Sequence, residues 1–174
     1  MERKELAERI RETAYLEGDF TLRSGRKSKY YLDKYLFETQ PDILHALGEM
    51  FAGYVADATT LIAGAELGGV ALAAATSMAS GKPFVIMRNA KKDYGTSKAF
   101  EGKLSGDDSV LLVEDIATTG GQVLEAAKVI VSLGGRVERI VSVIDRQEGA
   151  RENVESAGFV FDSLFTKADL GIGS

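Results

Sequence analysis

Hydrophobic residues along the chain follow two spacings, one typical of helices and the other typical of buried strands. The opening residues are apolar at helical spacing and predict an amphipathic helix over about Arg3–Leu16, ended by Gly18. Phe20–Leu22 and Tyr30–Leu32 flank a Ser-Gly-Arg turn, which predicts a hairpin or a pair of short extended pieces. Pro41 begins a second predicted helix, because proline is favoured in a first helical turn.

Beyond that helix, short apolar strands alternate with helices. The predicted strands are Thr60–Ala63, Phe84–Met87, Val110–Val113, Val137–Ile144 and Phe159–Leu164. The predicted helices are Val70–Ser80, Gln122–Leu133 and Glu148–Ala157. This alternation predicts an α/β fold, with a mainly parallel sheet flanked by helices on both faces.

Composition narrows the possible functions. The 174 residues fit one domain, and 45% of them are hydrophobic, which is ordinary for a globular protein. The chain has no cysteine and one histidine, His45, which excludes thiolate chemistry and any multi-histidine metal site. A net charge of -5 argues against general nucleic-acid binding. With no long apolar run and no secretory pattern, we expect no membrane span and a cytoplasmic location.

The segments that follow the predicted strands are unusual in composition. They are Gly64–Gly69, Arg88–Gly102, Glu114–Gly121 and Asp145–Gly149. In parallel sheets, ligands bind beyond the carboxyl ends of the strands, so we expect these segments to meet at one edge. The second of them is long, polar and basic, which is typical of a loop that closes over an active site.

The segment after the central strand carries the strongest chemical signal. Glu114 and Asp115 are expected at the end of that strand, where two carboxylates can bind a vicinal diol or a hydrated cation. Thr118–Gly121 then precedes a helix whose N-terminus favours an anion. By composition alone, a strand, an acidic turn and a capped helix without a ligand is the favoured interpretation, because a glycine loop by itself is a weak signal. A Walker A loop does not, because no Gly-Lys-Ser/Thr follows the glycines.

The complete string, VLLVEDIATTGGQ, resembles the phosphoribosyl-pyrophosphate (PRPP) motif of type I phosphoribosyltransferases. Three further segments resemble the orotate branch of that family: FTLRSGRKSKYYLD (its N-terminal hood), RNAKKDYGTSKAFEG (its mobile catalytic loop) and DRQ, whose arginine faces orotate. GAELGG matches the position of the pyrophosphate loop. The resemblance implies one phosphoribosyltransferase domain over residues 1–174, with the N-terminal helix and hood at 1–40 and the PRPP-binding core at 41–174.

The resemblance also implies a reaction, namely transfer of 5-phosphoribosyl from PRPP to orotate in the biosynthesis of pyrimidine nucleotides, with Mg²⁺ and without dedicated protein ligands for the metal. It assigns catalysis to Lys92, Glu114 and Asp115. It assigns PRPP binding to Arg88, Lys92, Tyr94, Glu114, Asp115, Ile116, Ala117, Thr118, Thr119, Gly120, Gly121 and Gln122. It assigns orotate binding to Thr118 and Arg146, and it implies a homodimer with active sites shared between subunits.

The sequence departs from the family pattern at the catalytic loop, and some alternatives stay open. Asn89 stands where the family usually has a second basic residue, and Tyr94 stands where many bacterial members have histidine, so we assign Tyr94 to binding only. Leu67-Gly68 replaces the Tyr-Lys of some members. Arg146 also fits an ion pair with Asp145 or Glu148, and Arg23 fits an exposed position as well as a PRPP contact.

Two rival functions share the PRPP motif. A phosphoribosyltransferase for a purine or for uracil would not need Arg146 or the hood sequence. A PRPP-sensing regulator without catalysis would typically lack the catalytic loop or the acidic pair, and both are present in this chain. A panel of bases assayed with PRPP and Mg²⁺ separates these possibilities.

Overall fold

Eight strands and six helices follow one another in the part of the chain that the computed structural model describes, residues 1–21, 25, 27–89 and 99–172. The strands are β1 (Tyr15–Thr21), β2 (Lys27–Leu32), β3 (Leu61–Ala65), β4 (Phe84–Met87), β5 (Phe100–Glu101), β6 (Ser109–Ala117), β7 (Arg136–Asp145) and β8 (Phe161–Thr166). The helices are α1 (Arg3–Ala14), α2 (Lys34–Glu38), α3 (Pro41–Ala52), α4 (Gly68–Ser80), α5 (Gly121–Ser132) and α6 (Ala150–Ser156).

Six of the strands form one sheet in the order β5-β4-β3-β6-β7-β8, and β1 pairs with β2 as a separate antiparallel hairpin. All neighbouring strands of the larger sheet are parallel except β5, which pairs antiparallel with β4. The central strand, β6, is bonded to β3 on one side and β7 on the other. The expected mainly parallel sheet is therefore confirmed, and its carboxyl edge carries the loops that precede α4, α5 and α6.

Side chains of β6 alternate between two hydrophobic cores, one on each face of the sheet. Leu111 and Val113 belong to the core that includes residues of α1, α3 and α4. Val110 and Leu112 belong to the core that includes residues of α5 and α6. Burial on both faces explains why β6 reads as a nearly continuous apolar run. Among the described residues, no helix is both long enough and apolar enough to cross a membrane.

The N-terminal boundary differs from the expectation. Helix α1 ends at Ala14, and Gly18 lies inside β1 instead of ending the helix. The pairing of β1 with β2 shifts between Glu17 and Phe20, so the glycine marks an irregularity in a strand. The predicted helix extended to Leu16 because Tyr15 and Leu16 are apolar and continue the helical spacing of hydrophobic residues beyond Ala14. The predicted hairpin is confirmed, although residues 22–24 and 26 lie outside the described part.

The sheet edge also differs in detail. Strand β6 extends to Ala117, so Glu114 and Asp115 lie within the strand and not beyond it. Helix α4 begins at Gly68, two residues before the predicted start. Helix α2 and strand β5 were not predicted. Both are too short to show a clear periodicity, although each contains apolar residues.

Candidate active site at the carboxyl edge of the sheet

A cleft opens at the carboxyl ends of β6 and β7, with a volume of about 610 Å³, a size typical of small-molecule sites. Residues 114–123 form its floor and one wall. Tyr31 and Lys34 from the N-terminal part and Arg146 and Glu148 from the segment after β7 complete the lining. The cleft thus brings together every predicted site residue of the central segment and also Arg146.

The glycine loop between β6 and α5 provides the floor. Gly120 has a φ of 76°, a left-handed conformation that favours glycine, and α5 begins immediately after it without a side-chain cap. An uncapped first turn leaves backbone N–H groups available to an anion. A residue of α6 stabilises this loop, because the side-chain amide of Asn153 donates a hydrogen bond to the carbonyl of Thr119 at 3.0 Å. This geometry suits a phosphate group at the start of α5.

The two carboxylates of β6 lie at the inner end of the cleft and are almost fully buried. Glu114 is 6% exposed and Asp115 is 2% exposed. Burial, and then the negative charge of Asp115, raise the pKa of Glu114 well above its ordinary value. Its Oε2 atom is buried and has no hydrogen-bond partner among the described residues. A buried, unpartnered carboxyl oxygen that faces a cleft is available to a polar ligand.

Both carboxylate oxygens of Asp115 accept hydrogen bonds. The ammonium group of Lys34 donates to Oδ2 at 2.6 Å, and the backbone N–H of Ile116 donates to Oδ1. Burial alone would lower the pKa of Lys34, but the charge of Asp115 and its hydrogen bond outweigh burial and raise that pKa. A methyl group at Gly68 would lie 1.8 Å from Asp115 Oδ2, so only glycine fits at the start of α4.

Glu38 is a third carboxyl group beside this pair. It lies on α2 and is 3% exposed, and its Oε1 has no partner among the described residues. Burial, and then the charge of Asp115, raise the pKa of Glu38 to about 8. Sequence reasoning missed both Lys34 and Glu38. Their spacing of four residues puts them on one side of a helix, but nothing in the sequence says that this side faces β6.

Arg146 lies at the opposite end of the cleft, where the N-terminal hairpin meets the end of β7. Its Nε is 3.1 Å from Glu148 Oε1, so the ion pair considered from sequence is present. Its guanidinium also lies 5.9 Å from the ring of Tyr30 and 3.5 Å from the hydroxyl of that tyrosine. The Tyr30 ring stacks on Tyr15 at 5.6 Å. Tyr30 therefore supports Arg146, whereas Tyr31 is 42% exposed and lines the cleft.

Three loops of the edge are tied together by amide groups. The side chain of Gln122, on α5, donates to the carbonyl of Glu66 at 2.8 Å and to Asn89 Oδ1 at 2.9 Å. Asn89 in turn donates from its side chain to the same carbonyl at 2.8 Å and from its backbone to Glu66 Oε1 at 2.9 Å. Asn89, which departs from the family pattern, therefore bridges the neighbouring loops.

The remaining predicted residues divide into two groups. Arg88 lies beside the cleft, with Glu66 at 3.9 Å and Glu101 at 3.5 Å from its guanidinium, and it is not part of the lining. Lys92 and Tyr94, with the rest of 90–98, lie outside the described residues, and so does Arg23. The structure therefore describes the predicted catalytic loop only at its two ends. His45 lies on α3 next to Glu49 at 3.5 Å, away from the cleft.

The arrangement can bind a phosphorylated sugar in one orientation. The start of α5 offers an anion site, and the inner carboxylates of β6, in the same cleft, offer acceptors for neighbouring hydroxyl groups. Arg146 offers a forked cation suited to a carboxylate at the other end of the cleft. A planar group between them would lie near the exposed ring of Tyr31.

Comparison with known proteins agrees with this chemistry. The sequence model of the family described as "Phosphoribosyl transferase domain" matches residues 36–169. A protein of Methanocella arvoryzae named orotate phosphoribosyltransferase is 43% identical, over 95% of this chain and 95% of its own. The one of Natronomonas pharaonis with the same name is 41% identical over 98% of each chain. Among solved structures, orotate phosphoribosyltransferase of Mycobacterium tuberculosis H37Rv in complex with PRPP is similar, with a TM-score of 0.83, 32% identity and coverage of 98% and 99%.

Proposed function

The chain belongs to the orotate phosphoribosyltransferase family, and on that premise we propose that its cleft transfers 5-phosphoribosyl from PRPP to N1 of orotate. The products are orotidine 5′-monophosphate and pyrophosphate, so the protein is a pentosyl transferase of pyrimidine biosynthesis. The observation that carries the proposal is the convergence in one cleft of the β6–α5 phosphate loop, the buried Glu114–Asp115 pair and Arg146.

PRPP occupies the inner part of the cleft in this proposal. Residues 118–122 hold its 5′-phosphate through backbone N–H groups, hydroxyls and the amide of Gln122. Glu114 and Asp115 hydrogen-bond to the ribose hydroxyls, and negative charge at this pair stabilises the cationic character that develops at C1. The C1–oxygen bond to pyrophosphate breaks as the bond from C1 to N1 of orotate forms. N1 of orotate is acidic, so the transfer requires no dedicated base.

Orotate occupies the outer part. Its carboxylate distinguishes it from adenine, guanine and uracil, and the forked guanidinium of Arg146 is suited to pair with it in two hydrogen bonds. Glu148 pairs with Arg146 and would compete with orotate for the same guanidinium. Thr118, in the phosphate loop, is the position from which the family also contacts orotate, and Tyr31 offers a ring face in the same cleft. The pocket thereby selects a base with a negative group.

Mg²⁺ is the cofactor in this proposal, held mainly by PRPP. Among the described residues, no group of three or more His, Asp or Glu side chains is arranged to hold a metal ion. Mg²⁺ ordinarily keeps several of its waters when it binds. The unpartnered Glu114 Oε2 fits as an acceptor for a metal-bound water. When bound, Mg²⁺ would neutralise negative charge on the pyrophosphate group as it leaves.

Lys92 and Arg88 complete the site when the loop closes, and Tyr94 contributes a binding contact. The homodimer, in which this loop reaches the neighbouring subunit's site, is proposed from the family alone. We expect Lys92→Ala to depress kcat by orders of magnitude while leaving PRPP binding largely intact. Mixing Lys92→Ala subunits with Asp115→Asn subunits tests the sharing of sites, because a shared-site dimer regains part of the wild-type activity and separate sites do not.

The direct test is an orotate absorbance assay with PRPP, run with and without Mg²⁺ and repeated with adenine, guanine and uracil as the base. We expect metal-dependent turnover with orotate and at least about 10⁴-fold lower kcat/KM with the bases that lack a carboxylate, since the charged site is then left unpaired. Turnover of a purine or of uracil would assign the protein to another branch. Binding of PRPP without turnover of any base would favour the sensing role.

A further inference from the structure

Lys34 is the cation of an otherwise acidic recess at the inner end of the cleft. Its ammonium group is 2.6 Å from Asp115 Oδ2, and Glu114, Glu38, Asp33 and Tyr35 are the other ionisable side chains that influence Lys34 or Glu38 there. The side chain of Lys34 is 28% exposed and that of Asp115 is 3% exposed. The pair is therefore an internal contact that opens onto the cleft, unlike the exposed ion pairs on the surface of the domain.

The contact fixes the direction of the Asp115 carboxylate. One oxygen is occupied by Lys34 and the other by the backbone N–H of Ile116. Gly68 packs so closely on Oδ2 that the carboxylate has little room to turn toward α4. A carboxylate oxygen accepts more than one hydrogen bond, so each oxygen keeps a free lone pair. Lys34 thus fixes the orientation of the oxygens that accept a hydrogen bond from a ribose hydroxyl. A preorganised acceptor contributes more to binding than a mobile one, because less conformational freedom is lost when the ligand binds.

Charge supports the same conclusion. Burial and the charge of Asp115 raise the pKa of both Glu38 and Glu114, so this recess disfavours additional negative charge. Within this recess, the ammonium group of Lys34 lies against Asp115. The family pattern places other cations in the catalytic and pyrophosphate loops, and this chain has Asn89 and Leu67-Gly68 at those positions.

We propose that Lys34 is a positioning residue for the ribose of PRPP, holding Asp115 in the orientation that accepts a ribose hydroxyl. This inference rests on the proposed function, and it assigns a role to the start of α2, which lies before the core of the family's motif. Because the ammonium acts on Asp115 before the reaction begins, its loss weakens binding of PRPP more than it slows the chemical step.

The test compares Lys34→Met, which keeps the length without charge, with Lys34→Arg, which keeps the charge. A charge-assisted hydrogen bond contributes about 1.5–3 kcal/mol, so we expect Lys34→Met to raise KM for PRPP about 10- to 100-fold. We expect kcat and KM for orotate to stay within about threefold of wild type, and Lys34→Arg to recover most of the PRPP affinity. Lys128→Met is the control, because Lys128 is an exposed lysine paired with Glu125 on α5.

Direct binding of PRPP with Mg²⁺, measured by calorimetry, separates this inference from the proposed function. Turnover by the wild-type protein tests the function, whereas the ratio of PRPP affinities between variant and wild type tests Lys34. Unchanged PRPP affinity in Lys34→Met would overturn the proposal. A lower kcat together with similar increases in KM for PRPP and for orotate, not rescued by Lys34→Arg, would also overturn it, because that result indicates a general structural role. If Lys34→Met does not fold, Lys34→Gln is measured in its place against the same criteria.

Discussion

The two ends of the cleft are built in different ways. The ribose-phosphate end is built mainly from one continuous segment, residues 114–122, in which a central strand leads directly into a loop and a helix, with Lys34 and Glu38 of α2 beside its carboxylates. The base end is assembled from distant parts of the chain, since Arg146 and its neighbour Tyr30 are 116 residues apart. The first end presents backbone groups and buried carboxylates, whereas the second presents partly exposed side chains.

The difference follows from what each end must recognise. A phosphate and a sugar diol are bound by fixed geometry, which a strand between two neighbours and a helix N-terminus supply. A base is distinguished by one charged group and one ring face, which side chains from several elements supply. We therefore expect substitutions at the first end to affect PRPP and those at the second end to affect orotate.

The largest effect is expected from Asp115→Asn. The change removes a negative charge from the ribose site and leaves Lys34 without its carboxylate partner. Loss of one group that stabilises charge in a transition state costs about 10²- to 10³-fold, so we expect a fall of that size in kcat/KM for PRPP. KM for orotate should change little. Steady-state kinetics with each substrate varied in turn measures both quantities. Asp42→Asn, at an exposed carboxylate paired with Arg9, is the matched control. A comparable rise in KM for orotate would contradict the division into two ends.

Arg146→Ala tests the base end and should have the next largest effect. Loss of a two-point contact with a carboxylate is expected to raise KM for orotate about 10- to 100-fold and KM for PRPP less than threefold. Arg151→Ala is the control, because Arg151 lies on α6 and pairs with Glu155 outside the cleft lining. Equal increases for both substrates would mean that Arg146 maintains the shape of the cleft and does not select the base. In the double variant with Asp115→Asn, free-energy changes that add would support independent ends.

The same division explains how much the sequence could predict. At the ribose-phosphate end, the contiguous residues 114–122 could be predicted, because the motif specifies strand, acids, glycines and helix together. Alternating strands and helices also predicted the parallel sheet. The resemblance assigned Arg146 to the site, and the structure places it in the lining of the same cleft, in contact with Glu148 and Tyr30.

Lys34 and Glu38 escaped prediction for a physical reason. They lie on a helix of five residues, which is too short for its periodicity to define a buried face. Packing of α2 against β6 and the start of α4 places these two side chains in the site. A local sequence pattern cannot predict such tertiary packing. The role of Asn89 was missed for a similar reason. It was noted as the absence of a cation, whereas its amide joins Glu66 and Gln122 across three loops.

Asn89→Ala tests that bridge and should have a moderate effect. The change removes two side-chain hydrogen bonds, each contributing about 0.5–1.5 kcal/mol, so we expect KM for PRPP to rise about three- to tenfold. KM for orotate should stay near the wild-type value, because none of these bonds involves Arg146. Gln40→Ala, which removes an exposed amide bond to the carbonyl of Leu36, is the control. If KM for PRPP does not change, the hydrogen bonds of Asn89 do not contribute to PRPP binding.

Glu38→Gln should have the smallest effect on turnover and a clear effect on the pH dependence of stability. The folded pKa of Glu38 is about 8, above its ordinary value of 4.5, so the folded protein retains a proton that the unfolded chain releases. Stability therefore falls as the pH rises from about 4.5 through about 8, and it falls no further above that range. Glutamine stays uncharged and removes this dependence.

We expect Glu38→Gln and the wild type to unfold similarly at pH 5 and to diverge as the pH rises. By pH 9 the variant should be more stable by roughly 1 to 3 kcal/mol, measured by urea unfolding across that range. Glu8→Gln, at an exposed glutamate of α1, should show no such divergence. A difference that stays constant with pH would place Glu38 in a more polar setting. Divergence would indicate that the close packing of three carboxyl groups at the ribose end lowers the free energy of unfolding at alkaline pH. The base end has no such cluster among the described residues.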